Sequence, residues 1–287
     1  MPEPEADLVI NACTPRGHYF FPVHQFGQRY TFVREVDLAE WERHRYNWDP
    51  DRVLWDALVL SRFIRDNGYS TEFAARIADF EDGQQCVVYT LDSESKHVYR
   101  LRDGRDWLDA DEGRELRDVL ATYWHVEASL PGRVRRAIWR LEFASWLYWG
   151  DLVVPILVSG LEALVSTGHD SATSEFVTRV PALAVVVGVD GVSRELCRRM
   201  YGARSAWMHG SHVRLFATGP ERERQRDAGM DAGPANDEQR VVLRQIALLQ
   251  DVLRAAVRRC IEDQAFREIF DDPERIRPEW PIPPKSA

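Results

Sequence analysis

Ser193-Arg194-Glu195-Leu196-Cys197-Arg198-Arg199-Met200-Tyr201-Gly202-Ala203-Arg204-Ser205-Ala206-Trp207-Met208-His209-Gly210 is the stretch from which the rest can be read. Leu196, Met200, Ala203 and Trp207 recur at spacings of three and four, so a helix is expected over 193–209 with that face toward a core. Gly210 stands where helices end on a left-handed residue, which makes His209 the last helical or capping position.

Other helices surround it. The apolar spacing predicts four main ones at 133–149, 152–166, 174–187 and 237–266, and a bundle is the simple way to bury their stripes. Residues 112–127 are helical by the same test, with Leu116, Val119, Leu120 and Tyr123 on one stripe. Pro131-Gly132 breaks that pattern and marks the expected domain boundary. The apolar run 143–165 invites a membrane reading, but Asp151 and Glu162 would each fall inside the span at about 2.5 to 3.5 kcal/mol. A buried core helix is the expectation.

The first 130 residues read differently. Aromatic and β-branched content over 17–36 predicts strands, 86–91 and 97–101 predict two more around the turn Asp92-Ser93-Glu94-Ser95, and Asp49-Pro50 opens an amphipathic helix between them. The expected fold class is therefore α+β and mainly helical: a mixed α+β region over 1–130, a helical bundle over 131–270 and a proline-rich tail over 271–287. That tail holds five prolines and Trp280, and is expected to be extended, either flexible or strapped across the bundle by its tryptophan. Residues 216–236, rich in Gly, Pro, Arg and Glu, read as a mobile loop.

With 287 residues, 45% apolar and 29% charged, the chain can bury a full core. The four cysteines lie far apart, without the spacing of a zinc knuckle or redox motif, which suits a reducing cytoplasm. The N-terminus has neither basic head nor apolar run, so export is not expected. The net charge of −9 belongs to the N-terminal part: residues 1–132 hold 25 acids against 15 bases, and 133–287 hold 21 against 22. Around the 193–209 helix the balance reverses, with Arg194, Arg198, Arg199, Arg204 and Arg214 against Glu195. Such a basic patch attracts a phosphate chain, although the same arginines also suit a solvated helix face.

Arg204 and His209 supply what a metal-free RNA-cleaving site needs. A guanidinium is a permanent forked donor for phosphate oxygens, and an imidazole moves protons at neutral pH. At about 100° per residue the two lie about 140° apart around an ideal helix, so they do not share a face. Release of His209 from helical phase at the cap, or the reach of the arginine, would bring them closer. The negative end of the helix dipole there favours the protonated imidazole. The bland alternative makes His209 a C-cap bonding the last carbonyls and Arg204 a core-edge arginine paired with an acid. Glu162, alone in an apolar run, must find a cation or become neutral; Arg204 and Arg179 are its candidate partners.

Arg204, four residues, His209 resembles the signature of the HEPN superfamily. The wider form, Arg204-Ser205, three residues, His209-Gly210 after Tyr201, looks most like its Apea-like branch. Val158-Ser159-Gly160-Leu161-Glu162-Ala163-Leu164 is similar to the helix that precedes the motif there, as is 175–183 with Arg179. The resemblance covers 133–266. It implies a helical bundle that pairs through the motif helix into a homodimer, with Arg204 and His209 catalytic at a shared cleft. The reaction it implies is attack of the RNA 2′-hydroxyl on the adjacent phosphate, leaving a 2′,3′-cyclic phosphate without metal or other cofactor, in toxin or anti-phage defence. Glu162, Arg179, Ser205 and Tyr201 would support the site, and Arg198, Arg199, His212 and Arg214 would touch RNA. The region 1–130 would take a regulatory partner. A non-catalytic helical dimer binding RNA or protein is the other reading. No membrane, no metal and no phosphate-binding glycine loop is expected; His209 and His212 alone make a poor zinc pair.

Overall fold

The computed structural model describes residues 17–25, 28–36, 49–65, 71–80, 83–93, 108–146, 150–168, 170–210 and 237–282. They fall into two compact units that divide within one helix, between Leu120 and Ala121.

In the first unit the strands β1 (Gly17–Gln25), β2 (Gln28–Val36), β3 (Thr71–Phe80) and β4 (Gly83–Ser93) form an antiparallel sheet in the order β2-β1-β3-β4. β1 pairs with β2 from Gly17↔Val36 to Gln25↔Gln28 and with β3 from Gly17↔Ala78 to Phe20↔Ala75. β4 pairs with β3; the segment 97–101, read from sequence as a partner strand, lies outside the described residues. Helix α1 (Asp49–Ile64) starts at the Asp-Pro pair and buries Leu58, Leu60 and Phe63.

Helix α2 (Ala110–Val126) begins with a reciprocal cap: Asp109 Oδ1 accepts from the amides of Asp111 (3.0 Å) and Glu112 (2.9 Å), while Glu112 accepts from the Asp109 amide at 2.9 Å. Its stripe of Leu116, Val119, Leu120 and Tyr123 is buried. A 3₁₀ turn, Glu127–Ser129, follows, and Pro131 sits immediately ahead of the next helix.

The second unit is helical: α3 (Gly132–Trp146), α4 (Gly150–Val165), α5 (Ala172–Val186), α6 (Arg194–Met208) and α7 (Asp237–Glu262), then the short α8 (Gln264–Glu268) and α9 (Pro273–Glu279). Helix α4 is central, packing against α3, α5, α6 and α7, and Val153, Val154, Leu157, Val158, Leu161, Leu164 and Val165 are sealed from solvent. At about 1.5 to 3 kcal/mol for each buried aliphatic side chain, this helix is a large hydrophobic contributor to the unit. Where α3, α4 and α7 meet, Gly160 lets the backbones close: a β-carbon there would lie 2.9 Å from a Leu253 methyl and 3.0 Å from Arg140 Cβ. Among the described residues no helix is long and apolar enough to cross a membrane.

Two expectations for the C-terminal end need correction. The last long helix stops at Glu262, because Asp263 turns out of helical geometry (φ −118°, ψ 108°) and caps α8 by accepting from the Phe266 amide. Part of the tail is helical rather than extended, since Asp272 and Pro273 form the start signal of α9. Trp280 does strap the unit: it is buried, lies 5.8 Å from the Phe270 ring, and its carbonyl accepts from Arg179 Nε at 3.1 Å.

Candidate active site

Helix α6 starts at Ser193, whose side chain accepts from the Leu196 amide, and buries Leu196, Cys197, Met200 and Tyr201. These occupy an arc of about 140°, and Arg204 falls near its middle. The arginine is thereby aimed inward at α4. Its Nη2 meets Glu162 Oε2 at 3.2 Å, and the Tyr201 hydroxyl donates to Glu162 Oε1 at 3.1 Å. The guanidinium also lies over the Tyr201 ring, 5.4 Å from its centroid, and that ring leans on Phe176 of α5 at 5.3 Å. Burial, and then the charge of Glu162, push the Tyr201 hydroxyl pKa up, so Tyr201 acts as a neutral donor.

The pair is only partly buried, with side-chain exposures of 24% for Arg204 and 19% for Glu162. Arg204 Nε is buried without an acceptor among the described residues, and no acceptor there engages Nη1. Glu162 therefore holds Nη2, while Nε is sealed from solvent without an acceptor.

His209 is the C-cap of α6 (φ −97°, ψ 8°), its amide bonded to the Ser205 carbonyl at 3.0 Å, and Gly210 adopts the left-handed φ of 72°. The imidazole is exposed, and no hydrogen bond joins it to Arg204 among the described residues. The angular separation of the two side chains is thus retained within one chain, because the cap remains near helical phase. Ser205 contributes its carbonyl to that cap.

Trp207 was expected in the core, but it is 38% exposed and its neighbour Met208 57% exposed. Both continue the inward arc of α6, so the last turn of that arc runs past its cover. Cys197 and Tyr201 take the place expected of Ala203 and Trp207, a difference that spacing alone could not reveal because all lie on one broad face. Burial raises the Cys197 thiol to about 12, keeping it a neutral core group.

Arg179 is not a partner of Glu162. It is fully buried, and its Nη1 donates to Glu175 Oε1 (3.0 Å), Thr167 Oγ1 (3.1 Å) and the Val165 carbonyl (2.9 Å). Glu175 in turn accepts from Ser166 Oγ (2.9 Å), the Thr167 amide (3.0 Å) and hydroxyl, and the Gly168 amide (3.4 Å). Burial would raise this carboxyl, but the Thr167, Ser166 and Gly168 donors outweigh it and hold its pKa down at about 2. The cluster closes the end of α4 onto α5 and the Trp280 strap, so it is architectural. An i,i+4 Glu-Arg pair in sequence gives no sign of such burial.

Arg198 and Arg199 are exposed, Arg198 pairing with Glu195 at 2.8 Å. His212, Arg214 and the loop 216–236 lie outside the described residues. Among the described residues no group of three His, Cys, Asp or Glu could hold a metal ion. No family model, curated protein or solved structure matches the chain.

Proposed function

We propose that the chain is a metal-independent endoribonuclease of toxin or phage-defence type, acting in the cytoplasm with Arg204 and His209 at a cleft shared by two copies. The observation that carries this reading is the half-tethered Arg204 beside an uncovered helix end. Glu162, itself held by the Tyr201 hydroxyl, takes Nη2 of the guanidinium, Nη1 has no acceptor among the described residues, and exposed Trp207, Met208 and His209 follow three to five residues on. A second copy covering Trp207 and Met208 would relieve apolar exposure about a two-fold axis and set one chain's His209 toward the other's Arg204. In this scheme Arg204 stabilises charge on the phosphoryl group while His209 donates to a phosphate oxygen or the leaving 5′-oxygen. The helical unit would then be a HEPN-like up-and-down bundle, and the mixed α+β region 1–130 would restrain it or sense a trigger.

The ion pair between Arg204 and Glu162 inside one chain favours a second reading, a non-catalytic helical dimer that binds RNA or a partner protein. Incubating wild type and His209→Ala with end-labelled RNA in EDTA separates the two. On the ribonuclease reading the wild type leaves cyclic phosphate ends and the variant is slower by about a hundredfold or more. Intact RNA in both reactions, with both proteins folded, would leave the non-catalytic reading.

A further inference from the structure

The solvent face of α3 is chemically distinct from the faces of its neighbours. Arg136, Trp139, Arg140 and Phe143 lie within an arc of about 100°. All four are exposed, Trp139 at 64% and Phe143 at 43%, and Arg135 flanks them. Val134, Ala137, Ile138 and Leu141 form the buried face, and Glu142, which is the only acid of this helix, is buried as well. Among the described residues Arg135, Arg136 and Arg140 have no ion pair or hydrogen bond. Arg133 is otherwise engaged, since its Nη1 donates to the carbonyls of Ala163 and Ser166 at the end of α4.

Arg135 also sits at the wrong end of the helix for its dipole. α3 starts at Gly132 with no acid in its first turn, where anions are favoured and cations are not. Trp139 and Phe143 are one turn, about 6 Å, apart along the axis. Arg136 and Arg140 lie beside them on the same face.

We propose that this face of α3 binds single-stranded RNA, with Trp139 and Phe143 stacking on unpaired bases and Arg135, Arg136 and Arg140 holding the intervening phosphates. Stacking and phosphate contacts serve any single strand, and RNA is named on the strength of the ribonuclease reading above. Neither aromatic supports the core, so both can be replaced without unfolding the helix.

The test uses the full chain carrying His209→Ala as parent, so that cleavage does not consume the probe, and a fluorescein-labelled single-stranded A/U oligoribonucleotide followed by polarisation. Trp139→Ala with Phe143→Ala weakens binding by about tenfold or more. Arg136→Gln with Arg140→Gln weakens it and lowers the slope of log affinity against log salt by about 1.4, at roughly 0.7 per phosphate contact. The annealed duplex binds more weakly than the single strand, and thermal unfolding of each variant matches the parent. The proposal is overturned if the parent does not bind the strand, or if both double variants remain within about twofold of it. It is also overturned if the aromatic variant instead turns a sedimenting dimer into a monomer, which would make the face a contact between copies. A parent that binds while wild type never cuts would sink the ribonuclease reading and leave this one standing.

Discussion

Glu175 is the residue whose chemistry is most constrained. Its carboxyl is held at about 2 against an ordinary 4.5, so it stabilises the fold fully above the ordinary value and loses that contribution as pH falls from about 4.5 toward 2. The difference corresponds to about 3 kcal/mol. Glu175→Gln should lower the melting temperature at neutral pH, and should flatten the acid limb of stability when unfolding is followed by circular dichroism from pH 6 to pH 2. An unchanged limb would show that other carboxylates govern acid unfolding. Glu162 invites a separate test. Glu162→Ala leaves Arg204 half-buried without its acceptor, so a loss of about 1 to 3 kcal/mol is expected, together, on the ribonuclease reading, with loss of cleavage. A double-mutant cycle with Arg204→Ala measures the coupling. Glu162 was legible in the sequence because a lone acid in an apolar run needs a cation, and of its two candidates Arg204 is the partner while Arg179 meets a nearer acid four residues away.

At the level of elements, the chain declares its helices through caps. Ser193, Asp109 and the Gly210 terminus are standard signals, and α6 runs over nearly the residues its spacing predicts. Asp263 was overlooked because apolar spacing continues through Phe266, and only the cap shows that the helix has restarted. Periodicity also overstated the cover of α6: it identifies the inward arc but not where the neighbouring helix stops, so Trp207 was placed in the core. Gly160 is the position where element packing is least tolerant. Gly160→Ala forces α3, α4 and α7 apart against Leu253 and Arg140 and should cost about 1 to 3 kcal/mol despite alanine's better helix propensity. A raised melting temperature would show that the crossing has slack. Because Glu162 is two residues away on the same helix, the ribonuclease reading expects cleavage to fall with it.

For the whole molecule, the helical character of the second unit was readable because α4 is apolar on every side and needs partners all round. The assembly was not readable: one chain specifies an uncovered Trp207 and Met208 but not what covers them. If two copies share the cleft, mixing Arg204→Ala and His209→Ala proteins should restore part of the cleavage that each has lost, through hybrid dimers carrying one intact Arg204 and one intact His209. Mixtures as inactive as their components would place both groups in separate sites or outside the chemistry. Met208→Asp should shift sedimentation toward monomer, and activity should fall with it.

The hydrogen bond from Arg179 to the Trp280 carbonyl spans 101 positions of the chain. During translation a ribosome must therefore add that many residues after the arginine before its acceptor exists. Until then the guanidinium has Glu175, Thr167 and Val165 but an unfilled place at Nε, and α5 has no strap over it. This hydrogen bond and the strap can therefore form only once Trp280 has cleared the exit tunnel. On the ribonuclease reading proposed above, that order of events would delay any cleavage until synthesis of the unit is finished.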